Sequence, residues 1–418
     1  MIKNGRHTYY GWYIVASASV IVLLTMGLRM GIGPFVTPMM LDLALSRTEF
    51  SLIVSIGMIV YGLGMPLAGS LLKRFSTRFV LLTGLITVCA SIVWTINSKG
   101  LFSFLLSFGI FLSLGLAFLS NITLAPIITK WFVQQRGKAL FYLSTGGMAG
   151  IAVMTPVETL LIQLVGWQQT LLIFAGVFIC VVLPSAIFVM REDVPEGADD
   201  AAARGGKIKQ DIQLEISWKD AVKTRAYWQI VIGMFACGFG MNLIGSHAVP
   251  MLVDHHFEPM TSSFGVGVIG VVAIFSTLFL GSISDRYPRK NILFLVYFVR
   301  GMGILGLVLV ATPWQLYLVA ATGGLVWAGS IAMTSAILSD LYGVRLLGIL
   351  NGWAFFGHQI GGAIGSFIGG WGYETFGTHV LAFGLAAFIS LIASVASYYL
   401  PEKITFPKYI EIGHGRSL

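Results

Sequence analysis

The chain has 418 residues, 56% of them hydrophobic and 11% charged, with a mean hydropathy of +0.85. Soluble domains carry about a quarter charged residues, so this composition excludes a soluble globular enzyme, a disordered chain and a nucleic-acid module. The net charge of +8 comes from 26 Lys and Arg against 18 Asp and Glu. Its basic residues sit in short clusters between apolar runs, the pattern of a cytoplasmic membrane face.

A helix needs about 20 apolar residues to cross a bilayer. Twelve such runs are predicted: 11–36, 48–71, 79–97, 101–126, 138–164 and 168–190, then 226–250, 263–283, 291–311, 314–340, 348–371 and 378–400. None alternates in polarity as barrel strands would over about ten residues, so all are read as helices. The first run is too long for a signal-peptide core and is expected to be retained. Cys89, Cys180 and Cys237 lie inside apolar runs, as packing residues and not a disulfide framework.

Basic residues set the expected orientation. With the N-terminus inside, 22 of them fall on cytoplasmic segments, and only Arg47 and Lys99 fall outside. Arg29 and Arg300 lie within spans. Both termini are therefore expected in the cytoplasm of a bacterial cell, with the protein multi-pass in its inner membrane.

The expected domains are a six-helix half at 1–190, a polar cytoplasmic linker at 191–225, a second six-helix half at 226–400 and a tail at 401–418. Two motifs repeat at an offset of 212 residues. Pro38-Met39-Met40-Leu41-Asp42 recurs as Pro250-Met251-Leu252-Val253-Asp254. Gly69-Ser70-Leu71-Leu72-Lys73-Arg74 recurs as Gly281-Ser282-Ile283-Ser284-Asp285-Arg286. A parallel six-plus-six repeat predicts a site near the midplane between the halves.

At Gly281-x-x-x-Asp285-Arg286-x-x-Arg289-Lys290 the sequence resembles the major facilitator superfamily, at its loop motif between spans 8 and 9. Gly69 and Arg74 mark the copy between spans 2 and 3. The resemblance covers essentially the whole chain and implies an all-α membrane fold of twelve helices in two pseudo-symmetric halves. Within the superfamily the chain looks like the bacterial relatives of the monocarboxylate transporters. Gly11-Trp12 opens the first span as in that group, and Trp131-Phe132, Arg136, Ala139, Gly146 and Gly150 fall on its span-5 signature. Two departures stand out. The group's carboxylate-binding Arg of span 8 is absent from 263–283, and Lys73 replaces the loop Asp of the first copy. The basic partner on span 4 is missing as well, so the latch of the first half is expected to be weak or built differently.

Charges within spans are costly, roughly 2.5–3.5 kcal/mol on insertion scales, and point to function. Arg29 lies about 27 Å along span 1, by the rise of a helix. The resemblance places that span beside the central cavity, where a guanidinium fork suits a carboxylate. The structural alternative pairs Arg29 with helix-end carbonyls. For Arg300, about 15 Å into span 9, carbonyl capping or a helix tie is the stronger reading. Asn242, His247, His358, Tyr61 and Asn121 are the other candidate substrate-binding residues, with Trp327, Thr334, Ser335 and Gln359 as further polar groups. Each histidine also suits a packing role. The acids lie away from the midplane, Glu158 near the outer end of span 5 and Asp340 near the inner end of span 10. Any coupled proton is thus expected on a histidine or on the substrate's own carboxylate. The glycines of 146–150 and 361–370 are read as close helix packing, not a phosphate loop. No catalytic, metal or cofactor site is predicted.

The function expected is a secondary active transporter of a small organic anion, a monocarboxylate, by alternating access. H+ is the candidate coupling ion, the lipid bilayer is the surrounding partner, no nucleic acid is bound, and a monomer is expected. The alternatives are a carrier of another solute, such as a drug or siderophore, and a non-transporting membrane sensor on the same fold.

Overall fold

The computed structural model describes residues 9–132, 135–193, 217–284 and 286–401. Among them there is no β-strand, and the helices cover each of the twelve expected spans. Span 1 is α1 (Gly11–Met30) followed by α2 (Gly33–Leu43), span 2 is α3 (Arg47–Leu72) and span 3 is α4 (Thr77–Ile96). Span 4 runs through α5 (Leu101–Phe104), a π-helix (Leu105–Leu112), α6 (Ser113–Phe118) and α7 (Asn121–Trp131). Spans 5 and 6 lie in α8 (Arg136–Pro184) and a short π-helix (Ser185–Val189), with α9 (Trp218–Ala221) beyond. The remaining spans are α10 (Arg225–Asp254), α11 (Pro259–Ser284), α12 (Arg289–Leu309), the pair α13 (Pro313–Gly324) and α14 (Gly329–Tyr342), then α15 (Val344–Phe376) and α16 (Val380–Tyr398).

Three expected spans are broken where hydropathy alone predicts continuity. Span 1 breaks at Gly31-Ile32, and Pro34 then opens α2, where its missing N–H is harmless. The helix continues to Leu43, so the expected loop at 37–47 shrinks to the turn after α2, with Ala44 in the left-handed region. Span 4 breaks at Leu119-Ser120, where Ser120 accepts from the Ile122 amide and starts a new helix. Span 10 breaks over 325–328. Between spans 5 and 6 the chain leaves helical geometry at Gly166, with φ 81° and ψ 165°. That conformation requires glycine.

The described chain packs as two compact units. One holds residues 9–193 together with Ile244–Ile274, and the other holds 217–243 and 275–401. The division between these units runs through α10 and α11. Most of the linker and the tail lie outside the described residues.

Inside the first unit α1 lies against α8 through glycines. A Cβ on Gly146 would stand 2.4 Å from the Ser19 carbonyl oxygen, and one on Gly150 2.4 Å from that of Leu23. Without a hydrophobic drive between helices in lipid, such close backbone approach supplies the association through dispersion. The two repeated acids have separate anchors in this unit. Asp42 accepts from Trp167 Nε1 (3.1 Å) and Gln168 Nε2 (2.5 Å), while Asp254 pairs with Arg47 at 2.6 Å.

Candidate functional site

The break after α1 places Arg29 in the last turn of that helix, 9% exposed. Its guanidinium carbon sits 4.1 Å from the centroid of the Tyr61 ring, and Nη2 lies 3.3 Å from Met58 Sδ. A cation over an aromatic face is attracted by the ring quadrupole, more strongly when desolvated. Arg29 and Tyr61 line a small, partly open cavity of about 40 Å³, whose other walls include Ile53 and Val54 of α3, Phe108 and Leu112 of the π-helix, and Ser113. The wide turn of that π-helix sets Gly109 close to α3, where a Cβ would come within 3.2 Å of the Ile53 carbonyl oxygen. One cation, one aromatic platform and apolar walls suit a small anion with an apolar body.

The other candidates are dispersed. Asn121 is exposed. In the first unit His247 is buried, with Nε2 3.3 Å from Ser51 Oγ. In the second unit the Asn242 amide donates to the Gly238 carbonyl (2.8 Å) on its own helix. His358 is buried there too, stacked on Phe355 with ring centroids 5.0 Å apart, and its Nδ1 lies 3.3 Å from Gln359 Oε1. It also faces Cys237, whose Sγ is 3.1 Å from Ser330 Oγ. Trp327 and Thr334 are buried in this same unit.

Arg300 is 4% exposed, and its Nη2 donates to the carbonyls of Val326 (2.9 Å) and Trp327 (2.7 Å). Those carbonyls belong to the break in span 10, so the residue fastens α12 to it. This is the capping role expected from the sequence. Leaving each carbonyl unsatisfied costs roughly 1–3 kcal/mol, against roughly 2.5–3.5 kcal/mol regained by removing a buried charge. Arg300→Met is therefore expected to lower the melting temperature in detergent by a net loss on the order of 1 kcal/mol. Carboxylate affinity in the folded fraction should stay at the native level. Weaker affinity at native melting temperature would assign Arg300 to the substrate instead.

The loop-motif residues lie at helix ends within each unit. Gly69 sits near the end of α3 and Arg74 is exposed beyond it. Asp285 lies outside the described residues. Arg286 is exposed, while Arg289 pairs with Asp340 of α14 and donates to the Ala336 carbonyl. In the first unit Lys73 is exposed. Glu192, just past span 6, accepts from the Thr77 amide at 2.5 Å, and Arg78 Nε donates to the Met190 carbonyl. Trp131 Nε1 donates to the Arg191 carbonyl, and the Arg191 guanidinium lies over Tyr10. Partial desolvation pushes the Glu192 carboxyl up, but the Thr77 hydrogen bonds and the Lys130 and Arg78 charges outweigh it and hold it below the usual range. Sequence reasoning missed Glu192. Its only signal is an acid directly after span 6, in a segment otherwise read as solvated linker.

A match to the Major Facilitator Superfamily covers residues 18–334. Over 400 residues the chain is 26% identical to the uncharacterized MFS-type transporter YcxA of Bacillus subtilis (strain 168), spanning 91% of this chain and 94% of that one. It is 21% identical over 410 residues to monocarboxylate transporter 12 of Mus musculus, spanning 92% and 84%. A solved bacterial homolog to the human lysosomal transporter Spinster, inward-facing and unoccupied, shares the fold with a TM-score of 0.67 at 16% identity, over 94% of this chain and 95% of that one. With helices over all twelve expected spans and three quarters of its length inside the family match, the chain belongs to the Major Facilitator Superfamily.

Proposed function

We propose that this transporter moves a small monocarboxylate across a bacterial cytoplasmic membrane by alternating access, with both termini in the cytoplasm. The observation that carries the substrate class is Arg29: a buried guanidinium over the Tyr61 ring in a cavity whose remaining walls are mainly apolar, with Ser113 the one further polar side chain. Such a cavity selects for one negative charge and a compact apolar body. A second carboxylate would meet Ile53, Val54 and Leu112, and an unpaired charge away from water is costly. The likeness over most of its length to a monocarboxylate transporter supports the same class. Among the other candidates Tyr61 supports Arg29 directly. Asn242, His247 and His358 are held by neighbours in their own units, so they shape helix packing or a second wall of the route. The basic clusters support the orientation.

Uptake by proteoliposomes containing the full chain tests the reading. Labelled pyruvate and L-lactate are expected to accumulate and to compete with each other. Succinate and a cationic dye should compete poorly. Strong transport of the dye with no response to any monocarboxylate would instead support a carrier of drugs.

A further inference from the structure

One acid of the first unit lies buried without a partner. Glu158 of α8 is fully buried, and neither carboxyl oxygen has a hydrogen-bond partner. The neighbouring acids differ. Asp42 has two donors, Glu49 caps α3 and Asp254 has Arg47. The hydroxyls nearest Glu158 in sequence are spent elsewhere: Thr155 donates to the Ile151 carbonyl, and Thr159 bonds the Thr155 carbonyl and Ser263. Several elements pack against α8, and their charged or titratable groups are known. They are Tyr13 and Arg29 on α1, Asp42 on α2, Arg78 and Cys89 on α4, Lys130 on α7, and His247, Asp254, His255, His256 and Glu258 in the 244–274 stretch. None of them forms a salt bridge or hydrogen bond with the Glu158 carboxyl.

Its position is specific. A Cβ on Gly31 would fall 1.9 Å from Glu158 Oε2 and 2.8 Å from the Gly27 carbonyl oxygen. The acid therefore rests on the break between α1 and α2, beside the carbonyl end of α1, two residues from Arg29. A carboxylate anion there would bear its desolvation cost with nothing to offset it. The neutral acid fits, and its O–H can turn toward the helix-end carbonyls that a break leaves exposed.

The geometry points to Glu158 as a proton-binding site whose loading is coupled, through the Gly31 break, to anion binding at Arg29. In one state of the cycle the acid keeps its proton against the break. When the break opens to water the O–H bond breaks, the proton passes to water, and the carboxylate is hydrated. No other bond changes. Because Arg29 and Gly31 belong to one turn, an anion that favours one arrangement of the break also biases the proton, as linkage requires. In this proposal a buried acid carries the proton that the sequence reading places on a histidine or on the substrate's carboxylate. The inference rests on the carboxylate reading above, and its test separates the two.

The full chain, native and Glu158→Gln, is reconstituted in proteoliposomes with labelled pyruvate as the probe. Two rates are measured: accumulation driven by an alkaline interior, and exchange against internal unlabelled pyruvate without a gradient. Glu158→Gln is expected to exchange but to lose gradient-driven accumulation, and Glu158→Asp to keep it with a shifted pH profile. Gradient-driven accumulation by Glu158→Gln equal to the native protein overturns the proposal. If native protein moves no monocarboxylate, the substrate reading fails, and infrared difference spectra still judge Glu158. A protonated-carboxyl C=O band present in native protein and absent from Glu158→Gln supports the site. The lack of that band in native protein refutes it, and does so even where the variant fails to fold.

Discussion

Arg29→Gln is expected to weaken carboxylate binding about 10- to 100-fold while the protein still inserts and melts normally. The magnitude follows from the loss of charge-assisted hydrogen bonds, each roughly 1.5–3 kcal/mol, at about 1.4 kcal/mol per decade. Glutamine keeps one polar head in the cavity but neither the charge nor the fork. Arg29→Lys keeps the charge as a compact ammonium and should recover only part of the affinity, because it cannot present two parallel donors or stack flat on Tyr61. The interactions of the resting protein set the stability side of the test. The guanidinium lies over Tyr61 and against Met58. Both are modest contacts, so their loss offsets part of the gain from removing a buried charge. Binding and melting are to be read on the same samples. Unstable variants with native affinity in the folded fraction would make Arg29 a structural residue.

Gly238→Ala and Gly361→Ala are expected to be the most destabilising of the single-methyl changes. At Gly238 a Cβ would lie 1.8 Å from the His358 carbonyl oxygen, and at Gly361 2.2 Å from that of Phe235. Both obstacles are backbone, so no rotamer change relieves them, and α10 and α15 must separate. Overpacking of this kind costs about 1–3 kcal/mol and occasionally more. Separation also disturbs the dispersion contacts that hold helices together in lipid. Gly384→Ala is the control. Nothing lies within 4 Å of its Cβ position, and replacing a helical glycine with alanine gains about 0.5–1 kcal/mol. The melting temperature should therefore fall for the first two variants and hold or rise for the third. Equal effects at all three would mean that α10 and α15 do not approach as closely as described.

The two glycine series were legible because close helix approach leaves small residues in the sequence. The twelve spans were legible for a similar reason, since the length of an apolar run is a direct consequence of bilayer thickness. Arg29 and Tyr61 stood out as polar groups in apolar runs. Their meeting did not, because cross-helix pairing depends on helix rotation, which hydropathy does not report. The three breaks are hard to read because mean hydropathy stays high across Gly31, Leu119-Ser120 and 325–328, although Gly31-Ile32-Gly33-Pro34 and Ser120-Asn121 carry breaker and capping residues. At the break in span 10, Arg300 satisfies the carbonyls of Val326 and Trp327. Glu158 reads from the sequence as an acid toward one end of its helix, but a sequence cannot show that a carboxyl lacks partners. Glu192 read as linker because its role depends on where α4 begins.

The central claim is that one cation in an apolar cavity recognises one carboxylate. The most direct measurement is a binding comparison of pyruvate with its uncharged amide, pyruvamide, in native protein and in Arg29→Gln. The two ligands share size and shape and differ in charge. Native protein is expected to prefer pyruvate by about 10- to 100-fold, the value of a charge-assisted pair at about 1.4 kcal/mol per decade, and Arg29→Gln should bind both with similar weak affinity. A native preference for pyruvate that survives intact in folded Arg29→Gln would contradict the account.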